Sequence, residues 1–260
     1  MSARTVPTIA LLVLAATAGP LGAQGGLPPG FVYLRDVDPT IAQDIRYAGS
    51  DNFVGRPLPG YGAAECVLRR DVAAAIARVQ ADLAPSGLAL KIYDCYRPER
   101  SVRAMWQWAS DGRPAGASKR FFPHAEKRML FALGYIAASS RHSTGTAVDL
   151  TLIERSRPAA PLFDPAASYA PCTAPASARA PDDSLDMGTG YDCLDAASNT
   201  RNPAIGAEQR RSRTALVAAM GRRGFLNYFR EWWHFAYAAS AGAPHYDVPI
   251  PPRGAKAQAQ

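Results

Sequence analysis

Ser140-Arg141-His142-Ser143-Thr144-Gly145-Thr146-Ala147-Val148-Asp149 and Glu231-Trp232-Trp233-His234 hold two imidazoles and two carboxylates in two short segments, with the histidines 92 positions apart. If these side chains act together, the fold must carry both segments to one place, which excludes any architecture that leaves them in separate lobes. The inventory is that of a hydrolytic zinc site: three ligands with one position left open for water, and a further carboxylate that takes the water's proton without binding the ion. His142, Asp149 and His234 fit the first role and Glu231 the second. Spacing alone does not decide it, because this is neither the helical His-Glu-x-x-His pattern nor a Cys-x-x-Cys pair. The remaining histidines, His124 in Phe-Phe-Pro-His and His245 in Ala-Pro-His-Tyr, have no such company and read as structural or surface residues.

At 260 residues and 48% hydrophobic the chain can bury a full core, and its length favours one substantial domain with long loops over two. Residues 1–23 carry one positive charge at Arg4, an apolar run from Ile9 to Ala18, a Gly19-Pro20 break and a small-residue end at Leu21-Gly22-Ala23. That is the pattern of a secretory signal peptide, so the expected division is a leader over 1–23 and one mature domain over 24–260. The leader's apolar run is too short for a bilayer, and no later stretch reaches the ~20 apolar residues that a spanning helix needs.

An exported, periplasmic or secreted, location fits the cysteines Cys66, Cys95, Cys172 and Cys193, whose even count favours two disulfides. Several connectivities are open. Cys66 with Cys95 and Cys172 with Cys193 is the favoured one, because each pair brackets a contiguous stretch and the second staples a Pro- and Ala-rich loop. The formal charge is +7, or +6 once Arg4 leaves with the leader. The basic residues are scattered, with short doublets such as Arg69-Arg70, Arg210-Arg211 and Arg222-Arg223 and no aromatic-interleaved stripe. This argues against nucleic acid as a partner.

Asp71 to Leu83 sets Val72, Ile76, Val79 and Leu83 at helical spacing behind an Asp cap, and Pro85 and Gly87 end it. Leu88 to Tyr96 reads as a half-buried strand, and Pro98 starts a helix to about Ser110 that carries Val102, Met105, Trp106 and Trp108. Gly145 to Glu154 is the next strand, with Val148, Leu150 and Leu152 on one face and Ala147, Asp149 and Thr151 on the other. Asp149 then faces away from the apolar side toward a cleft, and His142 sits on the loop entering the strand. Residues 155–183 read as a long surface loop, Ala207 to Arg222 as a helix stopped by Gly224, and Arg230 to Tyr237 as an aromatic-rich strand. The fold class expected is α+β: a small, mainly antiparallel sheet with flanking helices and a zinc site in a central cleft. One point is awkward. Glu231 and His234 are an odd number of residues apart and would point to opposite faces of a regular strand. Either Glu231 lies at the bend before the strand or a bulge re-aims it.

Taken in order, the two segments above resemble the zinc D,D-peptidases, which include D-alanyl-D-alanine carboxypeptidases and the D-Ala-D-Ala dipeptidases of vancomycin resistance. Arg46-Tyr47-Ala48 with Asn52-Phe53, Asp94-Cys95-Tyr96-Arg97-Pro98, and Met187-Gly188 with Tyr191-Asp192 point to the dipeptidases. The similarity spans roughly Asp44 to Tyr237. It implies one zinc ion per chain on His142, Asp149 and His234, Glu231 as the base, Arg97 on the scissile carbonyl, and a pocket for a small D,D-dipeptide shaped by Tyr47, Ser140 and Asp192. An Arg offers permanent charge to a developing oxyanion, and a carboxylate such as Asp192 is a sensible partner for a dipeptide's free ammonium. The leader and the cysteines depart from the resistance enzymes and point away from depletion of a cytoplasmic precursor pool, toward scavenging of D-Ala-D-Ala released from the wall. Two other readings stay open: a D,D-carboxypeptidase or wall endopeptidase acting on longer peptides, and a non-catalytic zinc or wall-binding protein. Glu231 argues against the latter, since a structural zinc has no use for a non-ligating carboxylate.

Overall fold

In a computed structural model that describes residues 26–254, strand pairing starts close to the N-terminal end of the described chain. The expected leader lies outside these residues. In chain order the elements are β1 (Phe31–Tyr33), α1 (Leu34–Val37), β2 (Ala42–Gln43), β3 (Val67–Arg69), α2 (Arg70–Leu83), β4 (Leu88–Asp94), α3 (Glu99–Ser110), β5 (Ala147–Glu154), α4 (Ala207–Gly221), β6 (Phe225–Asn227) and β7 (His234–Tyr237). β1 and β3 form an antiparallel ribbon, and the others a sheet in the order β2-β4-β5-β7-β6. Only β2 beside β4 is parallel in that sheet. This is the single-domain α+β arrangement expected, with a small, mainly antiparallel sheet.

α2 forms because Val72, Ile76, Val79 and Leu83 recur at helical spacing, and all four are buried. The helix begins one residue early, at Arg70, so Asp71 lies in its first turn instead of capping it. α3 likewise begins at Glu99, with Pro98 at the cap position in extended geometry. Trp106 is turned outward, 47% exposed, while Val102, Met105 and Trp108 are buried.

The central strands differ from expectation in one instructive way. β4 and β5 are buried on both faces, not half-buried. One face carries Leu90, Ile92, Val148, Leu150 and Leu152, all at 0% exposure, where truncation to Ala would cost about 2–5 kcal/mol each. The other face carries Lys91, Thr151, Asp149 and Asp94, and the end of the long loop covers it. Lys91 pairs with Asp182 and Asp183, the Thr151 hydroxyl is 2.6 Å from that of Ser184, and Arg46 reaches Asp182 at 2.9 Å. Alternating polar positions therefore meet polar chain, not water. A buried charge is tolerable only when paired in this way.

Both disulfides have the favoured pairing: Cys66–Cys95, with Cα atoms 5.3 Å apart, and Cys172–Cys193, 5.4 Å apart. No described helix is long and apolar enough to cross a membrane.

Candidate active site

Antiparallel register assembles the site. Asp149 on β5 is the cross-strand partner of His234 on β7, and cross-strand partners present their side chains on the same face. On the other side of β5, the register shifts between Ile92 and Asp94, so Asp94 and not Tyr93 stands opposite Asp149. A bulge of this kind re-aims side chains beside functional sites. Asp94, Asp149 and His234 thus form one row across the sheet. His142 joins them from a single 3-10 turn, Arg141–Thr144, just before β5. The Ser140 hydroxyl caps that turn by accepting from the His142 backbone N–H at 3.3 Å. Gly145 closes it at φ 69°, where an added Cβ would lie 2.1 Å from the Phe31 ring.

Within this cluster the His142 Nε2, Asp149 Oδ1 and His234 Nδ1 atoms face one another. Separations are 3.0 Å between the two nitrogens, 2.9 Å from His234 Nδ1 to Asp149 Oδ1 and 3.2 Å from His142 Nε2 to the same oxygen. Donors arranged tetrahedrally at 2.0–2.2 Å around a divalent metal would stand roughly 3.3 Å apart, so the trio fits such an ion. The tautomer fits as well. His142 Nδ1 donates to the Cys95 carbonyl at 2.6 Å, which leaves the Nε2 lone pair free for a metal, the usual arrangement of a ligating histidine. Burial opposes ionisation of Asp149, yet the two imidazoles hold its carboxyl far below the usual range.

Glu231 is the awkward residue resolved. β7 begins at His234, and Glu231 lies in the turn before it, its N–H donating to Tyr228 at 3.0 Å while its carbonyl accepts from the His234 N–H at 3.3 Å. The bend, not a bulge, brings Glu231 to the side of His234, with its Oε2 at 4.0 Å from His234 Nδ1. Trp232 and Trp233, each 1% exposed, pin the turn, and the Trp232 indole donates to Thr189 at 2.8 Å. Burial pushes the Glu231 carboxyl up to about 7, with His234 opposing and Asp149 adding.

Arg97 follows the bulged end of β4. Its Nε and Nη2 both engage Asp94, at 2.9 and 2.8 Å, and its guanidinium lies 4.8 Å from the Tyr47 ring centre. Nη1 has the Met105 sulfur at 3.6 Å, a weak acceptor that leaves its hydrogens available. Asp192 adopts φ 55°, the one left-handed non-glycine among the described residues, and accepts from the Tyr47 hydroxyl at 2.8 Å. Burial and the Asp149 charge push the Asp192 carboxyl well above its usual range.

A cavity of about 220 Å³ brings together all eight residues singled out from the sequence: Tyr47, Arg97, Ser140, His142, Asp149, Asp192, Glu231 and His234. It is smaller than the ~300–1,000 Å³ of pockets for drug-sized ligands. His124 and His245 lie outside it, in surface contacts with Asp195 and Glu99. Sequence reasoning missed Asp94, the acceptor beneath Arg97, and Tyr191, whose hydroxyl donates to Asp149 at 3.0 Å. Both sit inside quoted motifs, but a supporting role has no spacing signature. It also missed the segment from Gly134 to Ser139, where Gly134, Tyr135, Ile136, Ala137 and Ser139 wall the cavity.

A family profile described as D-ala-D-ala dipeptidase matches residues 28–160 and 176–251, ranges that contain every one of the eight residues. The chain belongs to the D-Ala-D-Ala dipeptidase family. It is 30% identical over 224 residues, 85% of this chain and 98% of the other, to a D-alanyl-D-alanine dipeptidase of Streptomyces coelicolor. It is 28% identical to those of Enterococcus faecalis, over 79% of this chain and 90% of the other, and of Escherichia coli, over 82% and 87%. The D-Ala-D-Ala dipeptidase family is metal-dependent, so the chain is a metallopeptidase, and His142, Asp149 and His234 are the group among its described residues that can hold the metal. Residues 161–175, with Cys172, fall between the two matched ranges.

Proposed function

We propose that this chain is a zinc-dependent dipeptidase that hydrolyses D-Ala-D-Ala to two D-Ala outside the cytoplasm, in scavenging of dipeptide released from the cell wall. The observation that carries this is the convergence of the ligand trio, Glu231, Arg97 and Asp192 on one small cavity. Two imidazoles and one carboxylate are the donor set of a catalytic zinc with an open position. Held by His142, Asp149 and His234, zinc supplies Lewis acidity and lowers the pKa of water to ~7.

The chain's own residues do the rest. Asp192, steadied by the Tyr47 hydroxyl, receives the substrate ammonium, whose charge offsets the cost of ionising a buried carboxyl. Ser140 shapes the pocket from the turn that carries His142. Glu231 takes one proton from the attacking water as its oxygen bonds to the carbonyl carbon. Arg97 Nη1 donates to the oxyanion that forms, while Asp94 fixes the guanidinium. Glu231 then delivers its proton to the leaving nitrogen as the C–N bond breaks, so atoms and charge balance. Export is supported by the leader pattern in residues 1–23 and by the two disulfides.

The test is hydrolysis of D-Ala-D-Ala, L-Ala-L-Ala and N-acetyl-D-Ala-D-Ala by the zinc-loaded mature chain. The free D,D-dipeptide is expected to be cleaved fastest, with the acetylated one strongly disfavoured because it lacks the ammonium that Asp192 receives. Equal rates for the free and acetylated D,D-peptides would shift the reading to a carboxypeptidase.

A further inference from the structure

The two oxygens of Asp149 have different work. Oδ1 faces His142 Nε2 at 3.2 Å and His234 Nδ1 at 2.9 Å. Oδ2 turns the other way and accepts from the Tyr191 hydroxyl at 3.0 Å, with Arg97 Nη2 at 3.7 Å. Tyr191 is 5% exposed and its ring cannot easily swing. It stacks on Tyr93 at 4.3 Å and 16° between planes, and meets Trp233 edge-on at 5.5 Å. The Tyr93 hydroxyl donates to Asp182 at 2.8 Å, so the stack itself rests on the ring faces. The next residues in the chain are Asp192, in the pocket, and Cys193, joined to Cys172.

We propose that Tyr191 is a positioning residue that holds Asp149 as a one-oxygen metal ligand. By occupying Oδ2 with a directed hydrogen bond, it presents Oδ1 alone to the metal and keeps the carboxylate from closing over the position that water needs. An oxygen of Asp149 without this donor is free to rotate toward the ion, which would raise the coordination number at the expense of the open position. The inference rests on the reading that the trio holds zinc. It adds that the segment carrying Asp192, the carboxylate proposed to receive the substrate ammonium, also sets the geometry of a ligand.

Zinc affinity, measured by competition with a chromophoric chelator on the full mature chain, tests it. Tyr191→Phe removes one oxygen atom from the stack and is expected to weaken zinc binding about 10–100-fold, the usual effect of losing a partner of a metal ligand. Tyr93→Phe removes a hydroxyl from the other ring of the same stack and is expected to bind zinc as the wild type does. Unchanged affinity in Tyr191→Phe overturns the inference and leaves the zinc site standing. Equal weakening in both variants also overturns it, by marking a general loss of packing. A wild-type chain that binds no zinc overturns instead the reading beneath it. Independently of how any variant folds, a crystal structure of the zinc-loaded wild type is expected to show Asp149 bound through one oxygen, with Tyr191 on the other, and a two-oxygen Asp149 would refute the proposal.

Discussion

The half of the cavity that holds the proposed metal ligands is built largely on strands, and the half proposed to receive substrate on turns and loops. Asp149 and His234 are fixed by a hydrogen-bonded ladder, and His142 enters by a turn that only Gly145 and Thr146 separate from β5. Tyr47 comes instead from a 3-10 turn, Arg46–Ala48, Ser140 from the cap of the His142 turn and Asp192 from a loop, steadied by the Tyr47–Asp192 hydrogen bond and by the Cys172–Cys193 bridge beside Asp192. Strands hold a constellation to the tolerance that metal chemistry demands, while loops let specificity vary without disturbing it. The family match covers the site residues of both halves and lapses only at 161–175, inside the loop that supplies Cys172.

Substitutions on the two halves should therefore fail differently. The largest effect is expected on the strand half, where His142→Ala or His234→Ala removes a ligand and so both metal retention and turnover; metal analysis that found His234→Ala fully loaded would break the division. Glu231→Ala is expected to keep its metal and fold but to lose about 10²–10⁴-fold in kcat, read from paired metal content and turnover. Arg97→Lys keeps a charge against Asp94 but loses the fork, and kcat should fall roughly 10²–10³-fold, as for a missing oxyanion donor. On the loop half, Asp192→Asn is expected to keep full metal and lose about 10–100-fold in kcat/KM for the free dipeptide, a charged hydrogen bond's share. It should lose nothing further toward the acetylated one, so an equal loss for both would remove Asp192 from ammonium binding. The smallest effect on activity is expected from replacing Cys172 and Cys193 together by Ser. This should lower unfolding stability by about 3 kcal/mol for a loop of this length and raise KM modestly, with metal content unchanged.

Much of the site was legible because His142, Asp149, His234 and Glu231 supply a parts list for metal chemistry, and the motifs around them, more than their spacing, carried the resemblance that singled them out. The way they meet was not legible. Whether Glu231 and His234 share a side depends on where β7 begins, and the ladder starts only at His234. The β4 and β5 alternation was read correctly as a pattern, but its polar face was assigned to solvent or a cleft. Lys91 and Thr151 are instead roofed by Asp182, Asp183 and Ser184, residues some thirty to ninety positions away that no local period connects to them. Asp94 and Tyr191 escaped for a related reason: a residue that acts through another leaves no spacing of its own.

Register makes the centre an all-or-none object. A slip of β7 by one residue against β5 would turn His234 to the far face of the sheet and place Phe235 or Trp233 among the polar groups, so no partly paired sheet retains a partly working centre. Opening the ladder between Asp149 and His234 separates two of the proposed ligands at once. Backbone amide protons of β5 and β7 and a bound metal ion would then escape through the same fluctuation. Loading the metal suppresses it by mass action, and slowed hydrogen exchange along those two strands becomes a gauge of occupancy.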